Sequence, residues 1–267
     1  MSKTIDGVDF VNHDSYGLFH IHHISDELKD IIRRNLTSIC HGSAHSKTAL
    51  YGYKPTLKSF LNRYDSKAEN TKKGMIGEFL AHLLITESYE SLKISSAFFN
   101  LEEKSIKKGF DLIVYDSVEN SVWITEVKSG NLHKNKDHDG TTKDLLNTAK
   151  SDLVKRLNEQ ETQYWLNAIN HVRASVQDTS DYKDTLINIL DSDYGSSAAE
   201  GRASSEDKNV ILVSNLFEPL GTKITAKSAK DVHEELVKES IFRNRIVLSI
   251  QKETHESIVD FLRLEAV

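Results

Sequence analysis

Two acidic side chains and one lysine lie in two neighbouring segments that are typical of β-strands. Asp111 begins the strand-like segment DLIVYD, and Glu126 and Lys128 lie two positions apart in SVWITEVKS. Side chains alternate between the two faces of a strand, so Glu126 and Lys128 share one face, which also carries apolar side chains. Two carboxylates that approach each other repel when both are ionised, and a divalent cation relieves that repulsion. Mg²⁺ prefers such oxygen ligands, so the pattern predicts a magnesium site, with Mn²⁺ as a further candidate.

The pairing of the two strands decides whether these side chains meet. If the hairpin turns around a four-residue loop, which is a normal length, Asp111 falls opposite Glu126. A slip of two residues sets Asp111 opposite Lys128 instead. Directly opposed residues have Cβ atoms ~5 Å apart, so either register brings both carboxylates and the lysine together. A cation there can activate a water molecule and neutralise charge on a scissile phosphate, while Lys128 orients the water or contacts the phosphate.

A helical segment, KKGMIGEFLAHLLI, precedes the strands and supplies a fourth candidate residue. Between Gly74 and Ile85 only Glu78 and His82 interrupt a run of apolar and small residues, so the helix is predicted to be buried. A buried glutamate needs a partner, such as a metal-bound water or a lysine. We therefore predict that Glu78 belongs to the metal shell or holds its water. His82 is interpreted as a core or supporting histidine rather than a ligand.

The order of the predicted elements indicates an α/β fold. Further helical patterns follow the strands, and then come a buried strand NVILVSNLF, a helix, a strand RNRIVLSI and a last helix. Helices that alternate with strands predict a mixed sheet covered on both faces. The segment DSDYGSSAAEGRASSEDK is rich in Ser, Gly and Asp and is predicted to be a surface loop. We divide the chain into an N-terminal accessory region, residues 1–70, and a larger domain, residues 71–267.

The candidate residues resemble the PD-(D/E)xK nuclease superfamily. The resemblance covers roughly residues 71–130 and rests on Glu78 in a leading helix, Asp111 at the start of a strand, and TEVKSG on the next strand. The proline that precedes the aspartate in the family is replaced here by Phe110. The resemblance implies a restriction-endonuclease-like mixed β-sheet flanked by helices. The larger domain would be nuclease-like, with the N-terminal region as an added layer.

Within this superfamily, the chain is similar to the nuclease subunit of the Hachiman antiphage defence system. The similarity rests on chain length, on the blocks GEFLAHLL, GFDLIVYD and ITEVKSG, and on the additional N-terminal region. It implies Mg²⁺-dependent hydrolysis of phosphodiester bonds in DNA, under the control of a partner helicase of superfamily 2. Asp111 and Glu126 would bind the metal and Lys128 would position the nucleophile. Glu78 would hold the metal shell or its water from the helix.

Composition limits where such a protein can act. The net charge is −6, and the excess lies in residues 144–207, where 12 acidic residues accompany 6 basic ones. This segment is either a docking surface for a protein partner or a pair of solvated helices. No apolar run approaches the ~20 residues that a membrane span needs, and the N-terminus lacks a secretion signal, so a cytoplasmic protein is expected. Because Cys40 is the only cysteine, no internal disulfide is possible.

Other interpretations stay open at this stage. Asp111, Glu126 and Lys128 could form an ordinary ion pair on a solvated sheet face, although the apolar residues on that face indicate burial. The chain could also be a non-catalytic subunit that keeps the fold and recruits or regulates a helicase; binding of Mg²⁺ or Mn²⁺ would distinguish the two. An RNase is a further alternative, because the same cluster can hydrolyse either backbone.

Overall fold

The protein forms one mixed β-sheet, described by a computed structural model for residues 4–45, 49–99 and 109–267. The strands of these residues are β1 (Val8–Asn12), β2 (Tyr16–Ile21), β3 (Leu92–Ile94), β4 (Leu112–Asp116), β5 (Ser121–Gly130), β6 (Asn209–Phe217) and β7 (Asn244–Lys252). Their order in the sheet is β1-β2-β7-β6-β5-β4-β3. The four central strands, β2, β7, β6 and β5, run parallel to one another. On one side β1 pairs antiparallel with β2, and on the other side β4 pairs antiparallel with β5 and with β3. The predicted mixed sheet is confirmed.

Helices cover both faces of this sheet, as the sequence predicts. They are α1 (Asp26–His41), α2 (Tyr53–Asp65), α3 (Glu69–Ser88), α4 (His138–Asn158), α5 (Thr162–Ser175), α6 (Lys183–Asn188), α7 (Ser196–Ala199), α8 (Ala226–Glu239) and α9 (Glu256–Ala266). Helices α1, α2, α3 and α9 share one hydrophobic core with the sheet, and α4, α5, α6 and α8 share the other. Within the described ranges, no helix combines the length and apolar composition needed to cross a bilayer.

The N-terminal region belongs to the same sheet. Strand β2 pairs in parallel with β7, and β1 forms the outer edge beside β2. Helices α1 and α2 pack into the core that α3 also fills. The division into residues 1–70 and 71–267 falls inside α3, so it does not separate two hydrophobic cores. It stays a prediction about the organisation of the sequence.

Part of the predicted surface loop DSDYGSSAAEGRASSEDK is helical instead. A π-helix, Ile189–Gly195, continues α6 into α7, so the prediction was wrong up to Ala199. Leu190, Tyr194 and Ala198 recur every four residues among the polar ones, and all three side chains are buried in the second core. This helical spacing of apolar side chains outweighs the local preference of Ser, Gly and Asp for turns.

Strand β5 separates the two hydrophobic cores, and its alternating side chains define what each core contains. Val122 and Ile124 pack into the core that α4 fills, whereas Trp123 and Val127 pack into the core that α3 fills. Continuing this alternation, Glu126 and Lys128 point to the α4 side. A helix therefore lies where it can supply counter-charges to these two side chains.

On the opposite face, α3 approaches β5 very closely. A Cβ atom added at Gly77 would lie 1.8 Å from Ser129 Oγ and 3.0 Å from Ser129 Cβ. Only glycine fits this contact without displacing the strand or the helix. The side-chain amide of Asn215 on β6 also donates a hydrogen bond to the Gly77 carbonyl oxygen, at 3.3 Å. The contact fixes the distance between α3 and β5, the strand that carries the candidate site.

Candidate active site

The β4–β5 hairpin has the first of the two predicted registers. Asp116 pairs with Ser121 across a four-residue loop, which leads Asp111 toward the position opposite Glu126. Asp111 lies one residue before β4, and its Oδ2 accepts a hydrogen bond from the backbone N–H of Val127 at 2.7 Å. The structure therefore brings Asp111 beside the strand segment that carries Glu126 and Lys128.

Glu126 is the most buried member of this group, with 1% of the residue exposed. Its Oε1 accepts a hydrogen bond from Lys128 Nζ at 2.6 Å and also contacts Arg156 Nη2. Burial raises the pKa of Glu126 well above its usual range, and the nearby carboxylate of Asp111 adds to this rise. The positive charges of Arg156 and Lys128 act in the opposite direction. The ionisation of Glu126 therefore depends on the cations close to it.

Lys128 is held between two carboxylates. Its Nζ lies 2.6 Å from Glu126 Oε1 and 2.8 Å from Asp152 Oδ2. Burial alone lowers the pKa of Lys128, but the charges and hydrogen bonds of Glu126 and Asp152 outweigh burial and raise it. The side chain therefore carries a positive charge at neutral pH and is fixed in direction by two contacts.

Helix α4 supplies two residues of this cluster that sequence reasoning missed. Asp152 binds Lys128, and Arg156 binds Glu126 while its Nη1 donates a hydrogen bond to the Gly109 carbonyl oxygen at 2.8 Å. Asp152 and Arg156 are four residues apart and flank the buried stripe of α4, so they lie on the same side of the helix. A signal was present in that spacing, but the sequence alone does not show which face of α4 meets β5.

The residues present fit a divalent cation. The second carboxylate oxygen of Glu126, Oε2, is buried, and none of the described residues forms a hydrogen bond with it. An unsatisfied buried oxygen is costly, and an anionic oxygen near a second carboxylate is the type of ligand that Mg²⁺ prefers. The metal-binding roles of Asp111 and Glu126 stay predictions, but the chemistry of the donor atoms agrees with them.

Glu78 is the candidate residue that lies on a helix, α3. It is half-buried on α3, and its neighbour Gly77 contacts the face of β5 that is opposite to the Glu126 face. Glu78, Asp111 and Glu126 do not form a group in which the ligand atoms all lie within 4.8 Å of one another. The contribution of Glu78 to the metal shell, as a ligand or as the holder of a water molecule, stays a prediction.

His82, one turn after Glu78, is a core histidine in this structure. Burial lowers its pKa to about 3, so the imidazole is neutral. Its Nδ1 is buried without a hydrogen-bond partner among the described residues. This placement agrees with the interpretation of His82 as a core or supporting residue.

The fold and the charged cluster together define a class of protein. A mixed sheet covered by helices on both faces, with a charged cluster built on a central hairpin, is consistent with the restriction-endonuclease-like α/β fold. The HamA family model matches residues 2–263, so this chain belongs to the HamA family, a component of the Hachiman antiphage defence system. The resemblance to the Hachiman subunit is thereby confirmed. A search of curated proteins finds no match.

Proposed function

We propose that this chain is a Mg²⁺-dependent DNA nuclease of the PD-(D/E)xK superfamily, acting in the cytoplasm as the effector of antiphage defence. One observation carries the proposal: Glu126 is buried beside Asp111 and in direct contact with Lys128, and its Oε2 has no hydrogen-bond partner within the described part of the chain. A solvated surface ion pair would not show this burial. The combination of two carboxylates and a lysine on one hairpin is what metal-assisted hydrolysis of a phosphodiester requires.

The residues of the cluster have separate roles in this proposal. Asp111 and Glu126 would hold Mg²⁺ or Mn²⁺, with Glu78 as a further ligand or as the holder of a water molecule. Such a cation supplies Lewis acidity and neutralises negative charge at the phosphate. Lys128 Nζ is directed by two carboxylates and would position the attacking water or the phosphate oxygen. Asp152 and Arg156 hold Lys128 and Glu126 in place.

Membership of the HamA family also supports a partner. We propose that a superfamily 2 helicase, similar to HamB, binds this chain and restrains or directs its cleavage of DNA. The net-acidic segment 144–207 offers a charged surface for such a partner. The proposed DNA substrate rests on the family resemblance and on the chemistry of the cluster.

The test combines purified chain, with and without the partner helicase, and plasmid DNA, linear DNA and RNA in the presence of Mg²⁺. Wild-type protein is expected to cleave DNA and to lose activity in EDTA. Glu126→Gln, which keeps the shape of the side chain and removes its charge, is expected to be inactive. Cleavage confined to RNA would replace DNA as the substrate. Absence of cleavage with Mg²⁺ or Mn²⁺, both with and without the helicase, would contradict the proposal.

A further inference from the structure

A second group of potential metal ligands lies where two helices begin. Glu69 is the first residue of α3, His255 immediately precedes α9, and Glu256 is the first residue of α9. One ligand atom from each of these three side chains lies within 4.8 Å of the other two. Glu69 lies more than 180 positions before the adjacent pair His255 and Glu256, so no local motif reveals the group. We call it the α3–α9 cluster.

His255 is the fixed member of the α3–α9 cluster. It is 5% exposed, and its ring packs against the rings of Phe217 and Tyr64, with centroids 5.4 Å and 6.4 Å away. Its Nε2 forms an ion-pair contact of 3.1 Å with Glu69 Oε1, and none of the described residues makes a well-aligned hydrogen bond with it. A buried ring nitrogen without a hydrogen bond costs free energy, and here it points to the carboxylates.

We propose that Glu69, His255 and Glu256 form a binding site for a divalent transition-metal ion, with Zn²⁺ as the best match. Imidazole nitrogen and carboxylate oxygen are common zinc ligands, and three protein ligands leave a further position for water. The site is separate from the candidate active site, because Glu126 and Lys128 point toward α4 whereas α3 and α9 cover the other face. It does not depend on the proposed nuclease activity.

The surroundings allow an ion to enter and the ligands to close on it. A surface depression lined in part by Asn131, Phe217 and Glu218 also contains the three side chains, so the cluster is reachable from solvent. Zinc bonds to nitrogen and oxygen are roughly 2.0–2.2 Å long, so the ligand atoms must move slightly closer together. Glu69 and Glu256 are exposed and can rotate, whereas the packed ring of His255 provides the anchor.

Nearby positive charges give the alternative of an ordinary ion-pair network. Lys72 Nζ lies 3.9 Å from Glu69 Oε2, at the limit of an ion pair, and Lys73 acts electrostatically on His255. Neither lysine satisfies the His255 ring nitrogen, because a lysine ammonium group only donates hydrogen bonds. Burial also lowers the pKa of His255, which favours the neutral imidazole that a metal binds. A cation satisfies the ring nitrogen and both carboxylates together.

A bound ion would join the start of α3 to the start of α9. Because the two helices are distant in the sequence, the ion would close a long loop and stabilise the folded chain. Helix α3 also carries Gly77, which sets its approach to β5. The proposed ion would therefore reinforce the face of the sheet that supports the candidate active site.

The test is zinc titration of the full chain, without a histidine tag and after removal of metals with a chelator, followed by calorimetry and thermal unfolding. The Glu126→Gln background is used in parallel, so that zinc at the candidate active site does not contribute. Wild type and this background are expected to bind one equivalent at the α3–α9 cluster and to unfold at a higher temperature with zinc. Loss of a supporting partner alone weakens metal sites roughly 10–100-fold, so loss of a direct ligand should weaken binding at least as much.

Glu69→Gln and Glu256→Gln are the informative variants, because both positions are exposed, so the fold is expected to tolerate the change. Glu253→Gln is the matched control: it removes an exposed carboxylate from the same depression but not from the cluster. The proposal is supported if both test variants bind zinc at least tenfold more weakly than Glu253→Gln. It is overturned if wild type binds no zinc, or if either test variant binds as tightly as the control.

Discussion

The two faces of strand β5 differ in the side chains that they carry, although these residues are neighbours in the sequence. The face toward α4 carries Glu126 and Lys128, whose charges are compensated by Asp152 and Arg156 from that helix. The face toward α3 carries Val127 and Ser129, and there the helix backbone approaches so closely that Gly77 is required. One face carries buried charge, and the other packs closely against a helix. The comparison predicts that equivalent changes on the two faces have different consequences.

The largest expected difference concerns Lys128 and Ser129, adjacent residues that point to opposite faces. Lys128→Ala is expected to reduce DNA cleavage by at least roughly 100-fold, because it removes the charge that positions the water or phosphate. Ser129→Ala is expected to leave cleavage near the wild-type rate, since Ser129 Oγ faces α3 and is buried without a hydrogen bond to any described residue. Initial cleavage rates with Mg²⁺, together with unfolding curves for both variants, check this. Wild-type cleavage by Lys128→Ala would remove this lysine from the proposed mechanism.

A smaller effect, on stability, is expected when α4 loses the positive charge of Arg156 that compensates Glu126. Arg156→Ala removes one of two cations from buried Glu126 and also the hydrogen bond to the Gly109 carbonyl oxygen. Loss of the only partner of a buried charge costs ~3–5 kcal/mol, and Lys128 remains, so a decrease of about 2–3 kcal/mol in the free energy of unfolding is expected. Denaturant unfolding measures it. Lys155→Ala, an exposed neighbour on α4, serves as control and should change stability by less than ~0.5 kcal/mol. Equal stability of the two variants would show that α4 does not compensate Glu126.

The sequence predicts the two faces of β5 unequally well. Alternation along a strand and the length of one hairpin loop were enough to place Asp111, Glu126 and Lys128 together, because these constraints are local. The contributions of Asp152 and Arg156 were not predicted, since they depend on the rotation of α4 against the sheet. Pairing of β2 with β7 joins residues more than 200 positions apart, and no local pattern encodes it.

The helical segment after α6 also depends on contacts with residues that are distant in the sequence. Turn-forming residues predicted a loop there, but Leu190, Tyr194 and Ala198 find a hydrophobic core that only the complete fold provides. Glu78 illustrates a further gap: the apolar pattern of α3 predicted its burial in a helix, but not which face of β5 that helix covers. The sequence of one helix predicts which of its residues are buried. A contact also depends on the position of the second element, which that sequence does not give.

Two glycines on α3 test the packing face directly. Gly77→Ala is expected to lower the free energy of unfolding by ~1–3 kcal/mol, because the added Cβ overlaps Ser129 and lies 3.0 Å from Asn215 Nδ2. Gly74→Ala, one turn earlier, places its Cβ more than 4 Å from other side chains and strands of the described residues, and is expected to stabilise the protein by ~0.5–1 kcal/mol through the helix preference of alanine. Thermal or denaturant unfolding of both variants checks the pair. Unchanged or increased stability of Gly77→Ala would show that α3 does not depend on close approach to β5.

The smallest expected effect is a pH dependence of stability that arises from Glu126, on the face of β5 toward α4. The folded-state pKa of Glu126 is raised above its unfolded value of ~4.3, chiefly by burial, so the folded protein holds this proton more tightly than the unfolded chain. The resulting stabilisation is fully present below the unfolded pKa and is lost as pH rises toward the folded pKa. Glu126→Gln mimics the protonated form and lacks this dependence. In chelator, wild type should therefore lose stability relative to Glu126→Gln by up to ~1.4 kcal/mol per pH unit across that window.

Denaturant unfolding between pH 4.5 and 8 measures this difference, with Glu253→Gln as the exposed control whose stability should follow wild type. Mg²⁺ favours the ionised carboxylate, so adding it is expected to reduce the loss at high pH and to move the acid limit of DNA cleavage to lower pH. A difference between wild type and Glu126→Gln that stays constant with pH, or grows in favour of wild type without metal, would mean that burial of Glu126 does not control its ionisation. The charged face would then be an ordinary ion-pair network, and its contrast with the α3 face would reduce to packing alone.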